Sequence, residues 1–166
     1  MSDIFDEELK GEDTLQDRFL TFTLGEDVYG IAIKYVVEII GIQSITVVPE
    51  VPHYIKGIIN LRGKIIPVID VRLKFGKEAI EYDDRTCIIV IEIGDVSVGL
   101  IVDKVDEVLT IEESDIAAPP ANRSRFENRY IMGIGKINNN VQLLLDCEKL
   151  VKGERGMDGM GEAAEF

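Results

Sequence analysis

Short apolar runs recur along the chain at close spacing, and turn-forming residues separate them. Phe19–Leu24 and Val28–Ile33 flank Gly25-Glu26-Asp27, and Gly57–Leu61 and Lys64–Asp70 flank Arg62-Gly63. Further on, Thr86–Ile93 and Val96–Val102 flank Gly94-Asp95, and Ile131–Ile137 and Val141–Leu145 flank Asn138-Asn139-Asn140. Each pair reads as a β-hairpin, because Gly and Asn tolerate the positive φ that tight hairpin turns demand. Helix signals are short. Asp70 precedes VRLKF and Asp146 precedes CEKL, each placed to cap one or two helical turns by accepting from exposed amides. Residues 123–130, RSRFENRY, read as another short helix after Pro119-Pro120. The segment 34–40 is too short for periodicity to decide between a helical turn and a strand.

The same pattern occurs twice. Gly25-Glu-Asp-Val-Tyr-Gly30 returns as Gly94-Asp-Val-Ser-Val-Gly99, and Val37-Glu38-Ile39 as Asp106-Glu107-Val108, at an offset of 69 residues. Tyr54-Ile55-Lys56-Gly57 returns as Tyr130-Ile131-Met132-Gly133, and Asp70 as Asp146, at an offset of 76. One insertion of seven residues near Pro119-Pro120 reconciles the two. A unit of about 70 residues is therefore used in tandem. Each copy supplies roughly five short strands, which close most economically as a small barrel of the SH3-like or OB-like kind. The expected architecture is mainly β, two five-stranded barrels side by side with a few short helices. The first is expected over 18–82 and the second over 83–151, with flexible acidic or Gly-rich tails at 1–17 and 152–166. Where the copies differ, function has room to enter. Asn60-Leu61-Arg62-Gly63 in the first copy stands where the second has Lys136-Ile137-Asn138-Asn139.

Composition narrows the function. The chain is 46% apolar, rich in the β-branched residues that fit strands, and has no Trp. No apolar run reaches the 18 or so residues of a membrane span, and the acidic start MSDIFDEELKGEDTLQD lacks the basic and apolar parts of a signal peptide. Net charge is −13, of which residues 1–17 carry −6 and 152–166 carry −2, leaving a mildly acidic body. That balance argues against nucleic acid and against an anionic membrane as the main partner, and with no long apolar run no direct membrane insertion is expected. Cys87 and Cys147 lie in apolar segments without metal-ligand spacing and read as free buried thiols, in keeping with a reducing cytoplasm.

Catalytic chemistry is hard to assemble from these residues. The single histidine, His53, reads as a solvated loop residue and makes a His triad or multi-histidine metal site untenable. Asp70, Asp103 and Asp146 lie near strand ends, but Asp70 and Asp146 are repeat mates with a shared capping role. No G-x-G-x-x-G, P-loop or G-x-S-x-G occurs. We therefore expect no catalytic residues, no cofactor and no metal. An OB-like single-strand binder needs a basic groove with stacking aromatics, which this acidic chain does not offer. Glu38 and Glu107 match between copies; Arg62 does not. A guanidinium is a rigid fork suited to carboxylates, and Glu38 is an intramolecular candidate if the loop folds back. The pattern thus points to a protein-interaction module.

The segment Gly57–Leu73, GIINLRGKIIPVIDVRL, resembles the signature of the chemotaxis coupling (CheW) family. The stretches FTLGEDVYGIAIKYVVEI at 22–39, VGLIVDKVDEVLTI at 98–111 and YIMGIGKINNNVQLLLDCEKLV at 130–151 agree, so the resemblance spans about residues 18–151. It implies a pair of five-stranded SH3-like barrels in a non-enzymatic cytoplasmic adaptor. Such adaptors link the cytoplasmic tips of methyl-accepting chemoreceptors to the histidine kinase CheA, whose regulatory domain shares the fold, and alternate with it in rings beneath membrane-associated receptor arrays. The family's interaction-critical Glu and Arg fall on Glu38 and Arg62. Matched neighbours are Val36, Lys56, Gly57 and Asn60 in the first copy and Val105 and Val108 in the second, the valines being suited to an apolar receptor-binding groove between barrels. The free chain is expected to be a monomer.

Overall fold

The computed structural model describes residues 15–119 and 129–152. The predicted tails at 1–14 and 153–166, and residues 123–128 of the RSRFENRY segment, lie outside the described residues. Ordered structure starts before residue 18: the Asp17 carbonyl accepts from Ile111 N–H at 2.7 Å.

Eleven strands are described: β1 Arg18–Leu24, β2 Asp27–Ala32, β3 Val36–Gly41, β4 Ile55–Leu61, β5 Lys64–Asp70, β6 Cys87–Ile93, β7 Val96–Val102, β8 Lys104–Thr110, β9 Ile116–Ala117, β10 Ile131–Ile137 and β11 Asn140–Leu145. Two short helices follow the aspartates, α1 Val71–Lys74 and α2 Cys147–Lys152. All four expected hairpins form. Both aspartates cap: Asp70 Oδ1 accepts from Leu73 N–H at 3.3 Å and Asp146 Oδ1 from Lys149 N–H at 3.1 Å. The undecided segment is both things in turn, a 3-10 turn over Ile33–Tyr35 and then β3.

The strands make two sheets, a five-stranded one in the order β3-β6-β7-β5-β4 and a six-stranded one in the order β8-β1-β2-β11-β10-β9. The expected division at residues 82/83 separates the repeats but not the sheets. The first barrel is the continuous stretch β3–β7, and the second is β1–β2 joined to β8–β11. Each repeat thus lends its first hairpin to the other repeat's barrel. The splice is parallel in both places, β5 on β7 with Val68 opposite Gly99, and β11 on β2 with Leu144 opposite Gly30. This is what the repeated glycines are for. A Cβ on Gly99 would stand 2.8 Å from both Val68 Cγ1 and Ile88 Cγ2, and one on Gly30 would stand 3.0 Å from Leu144 Cδ2. A side chain there would hold the two strands apart.

Alternate residues of the central strands face different cores. Ile88 and Val90 line the first barrel's interior, while Ile89, Ile91 and Ile93 face a large cluster shared between the barrels with Leu20, Phe22, Tyr29 and Leu100. Burial on both faces explains why β6 reads CIIVIEI rather than alternating apolar and polar residues. The second barrel's interior is smaller, built on Phe19, Ala32, Ile111 and Leu144. Cys147 is buried in the shared cluster, as expected, but Cys87 at the start of β6 is only half-buried.

Candidate functional site

The first barrel's sheet has two edges, β3 and β4, and little backbone pairing joins them. An antiparallel bridge between Thr46 and Ile58 closes one end, with N–H···O distances of 2.9 Å in both directions. It needs Gly57, because a Cβ there would sit 2.1 Å from the Thr46 carbonyl oxygen, and φ at Gly57 is +148°. Farther along the seam the edges are joined by side chains: Arg62, at the β4–β5 tip, donates to Glu38 on β3.

Both partners are placed by local backbone features. The Arg62-Gly63 turn has φ of +53° and +88°, the double positive-φ pattern of a two-residue hairpin turn, and Asn60 Oδ1 accepts from Gly63 N–H at 2.8 Å. The equivalent turn in the second copy is Asn138-Asn139, with φ of +51° and +67°. Asn tolerates that region and Arg does not, so the first copy holds an unfavourable residue where the second holds a favourable one. Glu38 follows a register shift in β3 between Val36 and Glu38. Bulges of this kind re-aim the next side chains and are common beside functional sites. The second barrel has the equivalent irregularity at Glu107, where the Thr21 hydroxyl bonds the strand backbone. The turn position equivalent to Arg62 there is Asn138, which carries no charge.

Of the other predicted residues, Lys56 and Asn60 lie on β4, Lys56 half-buried and Asn60 exposed, while Gly57 is buried and acts through its backbone. Val36 and Val105, repeat mates, both rest on the margin of the shared core. Val108 is exposed on β8, the edge of the other sheet, apart from the Glu38–Arg62 pair. Sequence reasoning missed Val37 and Ile39, which flank Glu38 on β3 and are 55% and 43% exposed. The run VVEII held the signal, since period-2 alternation puts Val37 and Ile39 on one face, but apolar strand residues read naturally as core.

The carboxylates weighed for chemistry are structurally committed. Asp70 Oδ2 also accepts from the Tyr82 hydroxyl at 2.7 Å, and burial is the main reason the Tyr82 phenol is pushed well above its ordinary range. Asp103 takes both ends of the Arg72 guanidinium at 2.8 and 2.9 Å and accepts from Gly25 N–H at 2.8 Å. A cleft of about 680 Å³ is lined by Lys34, Tyr35, Met132 and Cys147 among others. Burial pushes the Cys147 thiol up to about 12, which leaves it protonated and unreactive near neutrality. His53 is exposed in the loop before β4. Among the described residues no cluster of His, Cys, Asp or Glu is arranged to hold a metal ion, and no helix is long and apolar enough to cross a membrane.

Two fused small barrels with exposed apolar and charged edge residues define a protein-interaction scaffold. The family model for the CheW-like domain matches residues 18–155, and the chain belongs to that family of non-enzymatic chemotaxis adaptors. It is 40% identical over 146 residues to the chemotaxis protein CheW of Klebsiella aerogenes, covering 88% of this chain and 87% of the relative. To the Bacillus subtilis chemotaxis protein CheW it is 32% identical over 148 residues, covering 89% and 95%. The crystal structure of the scaffolding protein TtCheW from Thermoanaerobacter tengcongensis superposes with a TM-score of 0.77 at 38% identity, covering 83% of this chain and 95% of that one.

Proposed function

We propose that this chain couples the cytoplasmic tips of methyl-accepting chemoreceptors to the histidine kinase CheA, by way of the kinase's regulatory domain, as a cytoplasmic adaptor recruited to receptor arrays. On this reading Glu38 and Arg62 form the centre of a partner-binding surface on the first barrel, with Val36, Lys56 and Asn60 around them and Gly57 shaping the strand beneath. Val105 and Val108 supply apolar contact on the second barrel. The observation that carries the reading is the Arg62–Glu38 pair. It spans the seam of one barrel only, with Arg62 in a left-handed conformation that its repeat mate fills with Asn138. Backbone cost accepted at an exposed turn is a sign of a role beyond folding. Exposed Val37 and Ile39 beside the pair add apolar surface of the kind partners cover. The test is reconstitution. Mixed with CheA and vesicles displaying a receptor's cytoplasmic domain, the chain should carry the kinase down with the vesicles. A chain that brings down no kinase and binds neither component alone overturns the proposal.

A further inference from the structure

The two barrels are related by a repeat, yet one contact between them is strongly one-sided. Helix α1 follows β5 of the first barrel, and three of its neighbouring side chains reach the second. Arg72 grips Asp103, at the joint between β7 and β8, with two bonds of 2.8 and 2.9 Å, and the same carboxylate accepts from Gly25 N–H in the β1–β2 turn. Gly25 lies close enough that a Cβ on it would stand 3.5 Å from the guanidinium. Lys74 is buried at 3% exposure, its Nζ 4.0 Å from the centre of the Tyr54 ring and 5.4 Å from that of Tyr130. Those tyrosines are repeat mates, one entering β4 in the first barrel and one entering β10 in the second. Phe75 stacks on Tyr130 at 5.7 Å and leans on Tyr29 at 5.4 Å, both in the second barrel.

At the equivalent places in α2 the repeat has Glu148, Leu150 and Val151, and Lys34 stands where Asp103 would be. The charges are inverted, and the buried cation is replaced by a leucine. One ammonium faces both repeat-related rings, and the second copy carries the uncharged Leu150 at the matching place. The shared apolar core holds the barrels together, but apolar burial is non-directional. A bidentate guanidinium–carboxylate pair and a cation seated over aromatic faces carry direction. We propose that α1 is the clasp that sets the angle between the barrels, and that Arg72 and Lys74 are positioning residues that hold the Glu38–Arg62 surface and the Val105–Val108 surface in the relation needed to engage two partners at once.

The second half of this proposal rests on the adaptor reading; the first does not. The experiment therefore reads orientation without partners, from backbone residual dipolar couplings of the full chain. In the wild type, one alignment tensor should fit both barrels. In Arg72→Gln/Lys74→Met each barrel should still fit its own tensor, but the two should differ. In Glu148→Gln a single tensor should remain. If the double variant does not fold, Asp103→Asn takes its place, since the amide oxygen keeps an acceptor for Gly25 while the ion pair is lost. A single common tensor in the folded α1-clasp variant, or two tensors in the wild type, overturns the clasp. With CheA and receptor vesicles, binding to each partner alone should stay within twofold of wild type while three-component assembly weakens at least tenfold. Unchanged assembly by a variant whose barrels have reoriented overturns the positioning role.

Discussion

Replacing Arg62 by asparagine copies into the first barrel what the second already contains, and it separates folding from function. Two terms act on stability and they oppose. A non-glycine residue in the left-handed region costs about 1–2 kcal/mol, and asparagine recovers part of that through its own short polar side chain. Against this, the Arg62–Glu38 pair is lost. The Arg62 side chain is 69% exposed, so the pair belongs with surface salt bridges worth about 0–1 kcal/mol. The Asn60 contact to Gly63 N–H survives the change. The net effect should lie within about 0.5 kcal/mol, or roughly 2 °C of melting temperature for a chain of this size. Assembly with kinase and receptor should nevertheless weaken at least tenfold, about 1.4 kcal/mol of binding. Thermal unfolding followed by circular dichroism, beside vesicle sedimentation of the three-component mixture, measures both quantities on one sample. Arg62→Glu should weaken assembly further, because it sets a second carboxylate beside Glu38. The exchanged pair Glu38→Arg with Arg62→Glu distinguishes direct pairing, which restores part of the assembly, from separate partner contacts, which restores none. A melt lowered by more than about 5 °C in Arg62→Asn, or unaltered assembly, would refute the reasoning.

Gln142 is buried with its Oε1 lacking a hydrogen-bond partner, close to Ile111 in the second barrel's interior, where the first barrel has Ile66; Gln142→Ile should raise the melting temperature by about 3 °C, since an unpaired buried polar atom costs about 1–3 kcal/mol, and a lowered melt would show the amide is satisfied in solution. A fragment 33–102 should give more strand signal and a more cooperative melt than a fragment 18–82, because the first barrel is the continuous stretch β3–β7; equal behaviour of the two would count against hairpin exchange. Alkali should destabilise the chain. Cys147 keeps its proton to about 12 because it is buried, whereas the unfolded thiol loses it near 9. Between those values stability falls as pH rises, by up to about 1.4 kcal/mol per unit. Burial raises the phenols of Tyr35 and Tyr82 in the same sense. Urea melts at pH 9 and 10 should show a shallower loss in Cys147→Ala than in wild type; identical slopes would mean the thiol does not contribute.

The hairpins were legible because their information is local. Gly25, Gly94 and the Asn138-Asn139 pair state the turn, and the flanking runs state the strands. The capping aspartates were legible for the same reason, a side chain acting on amides three residues away. The partition of strands between barrels was not. It rests on the parallel contacts of β5 with β7 and of β11 with β2, which join elements about 30 and 114 residues apart and leave only a glycine in each copy as their trace. The paired Gly30 and Gly99 were visible as a repeat, but a repeat reports that a position matters without saying what it faces. Arg62 came into view through the difference between copies. Lys74 did not, since a lysine in a four-residue helix reads as surface until the fold brings Tyr54 and Tyr130 to either side of it. The bulge before Glu38 was equally hidden, because an extra residue in an edge strand alters register without altering composition.

Duplication alone would give an adaptor two equivalent faces and no means of ordering its partners. Exchange of hairpins makes the duplicate a single body, since neither barrel completes its sheet without strands from both copies. Divergence then falls where the barrels' backbones can bear it: at a solvent-facing turn, where Arg62 replaces an asparagine, and at the helix between barrels, where Arg72 and Lys74 replace Glu148 and Leu150. The positions that cannot diverge are the ones that close and splice the barrels, Gly57 with Gly133 and Gly30 with Gly99. A Cβ on any of the four would come within about 3 Å of a neighbouring strand or its side chains. Symmetry is kept where strands must touch and broken at an exposed turn and at the helix between the barrels.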